Sequence, residues 1–315
     1  MTEPAQGTIP QEGVIGVDIG GTSVKGGLLL SDGTRRLATP LPTDLGSGAT
    51  PFLDALARWI RALGPDSPVG VGVPGVFEPG TRKLAESPNL KCLSGLDLGE
   101  ELGRRLGRPA QNIPVENDAN LAALGEQWLG AGRGQSDLVM VTLGTGVGGG
   151  ILLHGRIFRG SLGRGGEIGH LNIHGEGQGA EPCGCGKFGC LESYASASAA
   201  QRRARQRGLP ADLGALSDAA RRGPGPERDL LHEIGVDLGH GLAQILVLLD
   251  VPTFVIGGGF GAALDLLREG ILEGIRGRDF AERAPRIVPA ELGSDAGWLG
   301  AARLALDHAE QNPNR

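Results

Sequence analysis

Aromatic residues are nearly missing from this 315-residue chain: Phe, Trp and Tyr together make up 3% of it. So thin a supply argues against the stacking surface on which single-stranded nucleic acid is held. Positive charge is also short, with 30 Lys and Arg against 36 Asp and Glu and a net charge of -6. That balance gives no pull toward nucleic acid or an anionic membrane, so neither is expected as a partner. Long hydrophobic runs are missing too. The most apolar stretch, Leu242 to Ile256, is broken by Gln244, Asp250 and Pro252 and is too short to span a bilayer. Met1 to Glu12 is polar with no apolar signal core, so a cytoplasmic location is expected. Cysteine is scarce, with four residues, three of them between Cys183 and Cys190. A reducing compartment and a metal site explain that crowding better than a disulfide framework.

Glycine is what the chain has in excess: 57 residues, with no Gly-X-Y period and no low-complexity run. The glycines cluster between short apolar segments, as expected where backbone approaches phosphates or turns tightly. With 40% hydrophobic residues the chain can bury the core of one large or two medium domains.

Gly13 to Asp18 reads as a strand, a Gly-Gly-Thr turn follows, and Val24 to Leu30 resumes strand character. Apolar positions at helical spacing predict a helix over Pro51 to Leu63, and Val69 to Val73 is a short strand. Leu98 to Leu106 and Ala119 to Leu129 read as helices. The opening theme then returns: Leu138 to Thr142 is strand-like, Gly144-Thr145-Gly146 turns, and Gly148 to Leu153 is strand again. The repeat suggests two related halves. Gln201 to Arg207, Leu230 to Leu249 and Trp298 to His308 read as helices, and Val251 to Ile256 as a strand ending in Gly257-Gly258-Gly259. Strands mixed with helices indicate an α/β class.

Gly144, Gly146 and Gly149 fit G-x-G-x-x-G, but the dinucleotide fingerprint requires that the loop open a helix. Here the continuation through Gly150 to Leu153 reads as a hairpin instead. A hairpin turn can still cradle phosphate, because consecutive exposed N–H groups form an anion nest. Asp18-Ile19-Gly20-Gly21-Thr22 suits the same role, with Asp18 able to hold a hydrated magnesium ion. Tight hairpins with glycine at positive φ are the plain alternative for either turn alone. Three glycine turns, the third at Gly258-Gly259, could converge on one nucleotide.

Asp118, in Glu116-Asn117-Asp118-Ala119-Asn120, is either a first-turn or capping acid or the carboxylate that accepts a proton in phosphoryl transfer to an alcohol. Asn117 beside it could bond neighbouring sugar hydroxyls. His170, Cys183, Cys185 and Cys190 form a Cys3His set, the donor pattern of structural zinc. Locking that loop would place Glu167 and Glu192 rigidly, as recognition of hydroxyls requires. Glu167 and His170 also have the spacing of a di-iron helix motif, but no second copy exists. Cys92 reads as a buried thiol, and Arg202 to Arg207 as a solvated helix face.

Asp18-Ile-Gly-Gly-Thr22, Glu116-Asn-Asp-Ala-Asn120, Gly144-Thr-Gly-Val-Gly-Gly149, Gly166-Glu-Ile-Gly-His170 and Cys183-Gly-Cys-Gly-Lys-Phe-Gly-Cys-Leu-Glu192 together resemble the ROK family of repressors, open reading frames and kinases. The resemblance runs in order from about residue 14 to 305. It implies an actin/hexokinase-like ATPase fold of two α/β domains with an active-site cleft between them. We place the expected division at residues 1–117 with the closing helix, about 299–315, against 118–298. It further implies that Asp118 is the general base for the 6-hydroxyl of a hexose, and that Asn89, Asn117, Glu167, His170 and Glu192 contact the sugar. Asp18, Gly20, Gly21, Thr22, Gly144, Thr145 and Gly146 would hold the phosphates of ATP with Mg2+. Gly258 and Gly259 would lie near the adenosine, and a structural Zn2+ would sit on His170 and the three cysteines. Homodimers are usual in the family. The forms Gly-Glu-Ile-Gly-His170 and Ser87-Pro-Asn89-Leu look most like bacterial glucokinases, with N-acetylglucosamine, N-acetylmannosamine and fructose kinases as alternatives. The family's repressors carry an N-terminal helix-turn-helix, for which the residues before Asp18 leave no room.

Overall fold

The computed structural model describes residues 9–78, 80–87, 90–175, 177, 179–278 and 284–311. An opening hairpin of β1 (Val14–Ile19) and β2 (Ser23–Leu29) is followed by the short β3 (Arg35–Leu37) and β4 (Leu41–Pro42) and by helix α1 (Ala49–Leu63). Next come β5 (Val69–Val73), a ribbon of β6 (Val76–Phe77) and β7 (Leu84–Glu86), α2 (Leu98–Leu106), β8 (Val115–Asn117) and α3 (Asp118–Leu129). A second hairpin, β9 (Leu138–Leu143) turning into β10 (Val147–Leu153), leads through β11 (Arg156–Ile157) to α4 (Glu192–Ala195), α5 (Ala197–Gln206) and α6 (Leu213–Arg221). The chain continues through α7 (Pro226–Leu249), β12 (Thr253–Gly257), α8 (Leu264–Arg276), β13 (Arg286–Pro289) and α9 (Ala296–Gln311). No described helix is long and apolar enough to cross a membrane.

The chain separates into two compact units: Met1–Ser136, Gly150–Gly165 and Glu291–Arg315, and Asp137–Gly149 with Gly166–Ala290. The division expected from the sequence, after residue 117, assigns α3 to the second part; here α3 stands in the first unit and packs on α9.

In the first unit the strand order is β3-β2-β1-β5-β8, with β4 also beside β2. β1 runs antiparallel to β2 and parallel to β5, which is parallel to β8. Side chains alternate across β1, as the two-residue period of a strand demands. Ile15, Val17 and Ile19 enter one core with Leu53, Leu56 and Ile60 of α1, whose spacing puts them on one helical face. Burying each such side chain contributes roughly 1.5–3 kcal/mol. Val14 turns the other way, into a second core with Trp298, Leu299 and Ala302 of α9. On that side Gly16 and Gly70 let α9 lie on the sheet, since a Cβ at either would collide with the carbonyl of Trp298 or Ala301. Gly300 of α9 meets the carbonyl of Leu121 on α3 in the same way. Much of the glycine excess therefore serves helix contacts, a use its placement between apolar segments did not suggest.

Glu126, fully buried on α3, accepts three backbone N–H groups: Ala131 and Glu291 at Oε2 (2.8 and 3.1 Å) and Leu292 at Oε1 (2.8 Å). These bonds replace the water a carboxylate loses on burial.

In the second unit β9, β12 and β13 are parallel neighbours in that order, and all five residues of β12 are buried. α7 begins at Pro226, four residues before the predicted start at Leu230, because proline suits the first helical turn. Leu230, Ile234, Leu238 and Leu242 form its buried ridge, and Gly235 and Gly239 bring α8 close, with Gly270 and Gly274 answering from α8. Within the arginine run read as a solvated face, Arg205 and Arg207 are exposed, whereas half-buried Arg203 turns inward. Arg203 bonds Asp237 (2.7 Å) and Glu233 (2.9 Å), and Arg207 also bonds Glu233 (3.0 Å).

Candidate active site and metal centre

β1 delivers Asp18 at its C-terminal end, on the side that faces α9, where a Cβ on Gly297 would lie 2.6 Å from Asp18 Oδ2. Lys25 stands opposite Asp18 across the hairpin. Burial and then the charge of Asp118 raise the Asp18 carboxyl to about 6, and Lys25 offsets this only in part. The two carboxylates are thus within electrostatic reach of each other. A divalent cation fits that donor set, because it would supply the positive charge that Lys25 does not.

The turn after Asp18 closes through Gly20 N–H to Ser23 O at 3.1 Å. Thr43, which no motif singled out, pins it twice: its hydroxyl donates to Gly20 O (2.8 Å) and its N–H to Thr22 O (3.0 Å). Gly21 and Thr22 stay exposed.

Asp118 is the first residue of α3, so the acid and capping roles weighed from the sequence fall to adjacent residues. Asn117 is the cap: its Oδ1 accepts the N–H of Ala119 (2.9 Å) and Asn120 (3.2 Å), and its Nδ2 donates to Gly75 O (3.1 Å). The cap holds the helix start, and with it the backbone that carries Asp118. Buried Glu116 braces the turn from below, accepting from Asn117 N–H (2.9 Å), Asn120 Nδ2 (3.0 Å) and Arg159 Nε. Arg159 comes from 43 residues downstream, so sequence spacing offers no sign of it. Asn89 lies outside the described residues.

In the second unit the Gly144–Gly146 turn ends β9 and opens a strand, as a hairpin does and a dinucleotide loop does not. Gly144 N–H donates to Gly146 O (3.0 Å), Gly144 O accepts from Ala197 N–H (2.9 Å), and Thr145 is exposed. Glu192, at the start of α4, lies against this turn: its Oε2 accepts Val147 N–H at 3.0 Å, and a Cβ on Gly146 would collide with it. Gly258 has φ +81° and sits so close to Leu143 that a Cβ would meet its carbonyl. The Gly258-Gly259 bend therefore borders the Gly144 turn, both at the C-terminal ends of parallel neighbours β12 and β9, where α/β sheets place their ligands.

His170, Cys183, Cys185 and Cys190 converge, each offering one donor atom, all within 4.8 Å of one another. Cys185 Sγ and Cys190 Sγ are 3.8 Å apart, and Cys183 Sγ is 3.7 Å from His170 Nδ1. Neither is a bonding distance. Tetrahedral coordination with bonds of ~2.3 Å to sulfur and ~2.0 Å to nitrogen gives edges of roughly 3.5–3.8 Å, so the set fits one metal ion. The backbone N–H of Lys187 lowers the Cys185 thiol, whereas burial pushes Cys190 up to about 12. Glu167 is exposed and begins the single 3-10 turn that carries His170. Cys92 is exposed, not buried as expected, because it sits on a surface 3-10 turn (Lys91–Leu93) whose Leu93 enters the core instead.

A family model described as the ROK family matches residues 14–308. A glucokinase of Thermotoga maritima is 33% identical over 94% of this chain and 98% of its own length. An N-acetylmannosamine kinase of Escherichia coli O157:H7 is 30% identical over 92% of this chain and 97% of its own. Among solved structures, a ROK family glucokinase from Streptomyces griseus in complex with glucose and AMPPNP is 32% identical, with TM-score 0.74, covering 93% of this chain and 99% of that one. The fold is the actin/hexokinase-like one that the motifs imply.

Proposed function

Because the chain belongs to the ROK family, we propose that it is an ATP-dependent sugar kinase that phosphorylates the 6-hydroxyl of glucose. The observation that carries this reading is Asp118, held by its cap at the start of α3 and within electrostatic reach of Asp18. Phosphoryl transfer asks the protein for little covalent chemistry; it needs a placed proton acceptor and fixed positive potential. Asp118 takes the proton of the sugar hydroxyl. That oxygen forms a bond to the γ-phosphorus as the bond to the ADP oxygen breaks. Asp18 is the residue that would hold Mg2+, and the ion supplies charge neutralisation to the phosphates when bound. The exposed Gly21, Thr22 and Thr145 offer N–H groups to phosphate oxygens, with Gly20, Gly144 and Gly146 shaping the two turns that present them and Gly258 and Gly259 beside the adenosine.

Asn117, Glu167, His170 and Glu192 bind the sugar in this reading, with Asn89 as a further contact. Zn2+ on His170, Cys183, Cys185 and Cys190 acts structurally, fixing the segment that ends at Glu192. We place the enzyme in the cytoplasm as a homodimer; light scattering after size exclusion tests the assembly.

A coupled assay of ADP release with Mg-ATP against glucose, N-acetylglucosamine, N-acetylmannosamine and fructose tests the reaction. Turnover is expected on glucose above the others. The identity to an N-acetylmannosamine kinase makes that amino sugar the second reading, and preferred turnover on it would replace glucose. Asp118→Asn is expected to lower kcat about a thousandfold while leaving sugar affinity near normal. Near-normal turnover in that variant would remove Asp118 from its role.

A further inference from the structure

The first unit holds a cavity of about 400 Å3 that no sequence motif announced. That size is ordinary for a small-molecule site. Its wall comes from β8, the β10–β11 turn and the end of α9, and it presents the cations Arg82, Arg156 and Arg159 against one carboxylate, Asp307. The charges do not balance within the cavity. Asp307 is engaged by Arg303 at 2.7 Å, a residue off the wall. Arg82 is pinned by the carbonyls of Ala110 (2.8 Å) and Ile113 (3.1 Å), with Asp97 at 3.3 Å. Arg159 spends only its Nε on Glu116. Arg156, exposed at the start of β11, has no carboxylate partner among the described residues. A cavity of about 270 Å3 in the second unit makes the contrast: its Arg202, Arg203 and Arg207 are matched by Glu181, Asp237 and Glu233, leaving no surplus charge.

We propose that the cavity of the first unit binds a phosphorylated small molecule of hexose-phosphate size, its phosphate held by Arg156 and Arg159. A guanidinium presents paired N–H groups that match two phosphate oxygens at once. The side-chain amides of Gln111 and Gln311 line the same wall and suit the hydroxyls of an attached sugar. A bare ion would leave most of the volume unfilled. Arg159 belongs to two sites, since its Nε also holds the Glu116 carboxylate that braces Asn117 and Asn120.

Isothermal titration of glucose 6-phosphate into the nucleotide-free full chain, with free glucose in excess to fill any site for the unphosphorylated sugar, reads this cavity. The wild type is expected to bind, Asp118→Asn to bind equally, and Arg156→Ala to bind at least tenfold more weakly with an unchanged melting temperature. Inorganic phosphate should bind at least tenfold more weakly than the sugar phosphate. No heat from the wild type at millimolar ligand overturns the inference, as does unweakened binding by Arg156→Ala. Equal affinity for inorganic phosphate overturns the assignment to a sugar phosphate. Silence of all four sugars in the kinase assay would sink the proposed reaction and leave this measurement standing.

Discussion

The two hairpins, β1–β2 and β9–β10, are built alike and used differently. β1 and β9 are both six residues long with the same burial along them, and each leads through a three-residue glycine turn into a seven-residue strand. Each first strand also has a parallel neighbour, β5 or β12, which has another, β8 or β13. The difference lies in the fifth residue of the strand. In β1 it is Asp18, a half-buried carboxylate within electrostatic reach of Asp118; in β9 it is Thr142. The second turn takes its carboxylate from elsewhere, from Glu192 at the end of the cysteine segment. One frame thus supplies an acid from its own strand, and the other depends on a separate loop to bring one. The scaffold is duplicated; the chemistry is not.

The largest effect expected from that difference falls on its own position. Asp18→Asn should lower kcat/KM a hundredfold or more, on the scale of losing a charge-stabilising group at a phosphoryl-transfer site. Thr142→Val, at the matching position, should stay within a fewfold in the same assay. Comparable losses would mean that the two strands do equal work.

Dependence on the borrowed carboxylate comes next. Cys185→Ser, or prolonged chelation of the wild type, should release metal detectable by elemental analysis and lower the melting temperature by on the order of 10 °C. The sugar KM should rise more than kcat falls, because the segment carrying Glu192 loses its anchor. A metal-free wild type with full activity would break the link.

The turns themselves differ in crowding. Gly258→Ala places a Cβ against Leu143 at positive φ and should cost about 3 kcal/mol in urea unfolding. Gly20→Ala meets only Ser23 O at 2.9 Å and should cost about 1 kcal/mol. A reversed order would show that the first loop is the tighter one.

A pH dependence separates the two strands further. With its folded-state pKa raised to about 6, Asp18 keeps its proton in the native state after the unfolded chain has released it. Stability from this group is complete below the unfolded value near 3.8 and is lost as pH rises through about 6. Asp18→Asn should therefore gain stability relative to the wild type across that window, on the order of 2 kcal/mol in buffer free of Mg2+ and nucleotide. A difference that does not change with pH would remove the electrostatic strain from Asp18.

Much of this frame was legible in the sequence. Strand and helix periods located both hairpins, β5 and α2, and the bounds of β5 and α2 were met residue for residue. α8 was missed although Leu264, Leu267, Ile271 and Ile275 have helical spacing, because Gly270 and Gly274 lower helix propensity. Only the facing glycines of α7 turn those residues into a contact. The turn after Asp18, the place of Asp118 at a helix start and the crowding of Cys183, Cys185 and Cys190 could be read because each is local, a few neighbouring residues, whereas His170 joins the cysteines from thirteen residues upstream. Thr43 on Gly20, Arg159 on Glu116 and Arg203 on Asp237 could not, since each joins segments that only the fold brings together.

Glu126 has a consequence in time as well as in energy. Ala131, Glu291 and Leu292 belong to connecting segments, whose amides ordinarily trade their hydrogens with solvent quickly. Each of these three is bound to a carboxylate that has no exposed surface. Glu291 and Leu292 can exchange only when α3 and the stretch leading into α9 part from each other, and Ala131 only when the end of α3 opens away from Glu126. In deuterated water these three loop positions should keep their protons about as long as the centre of a strand.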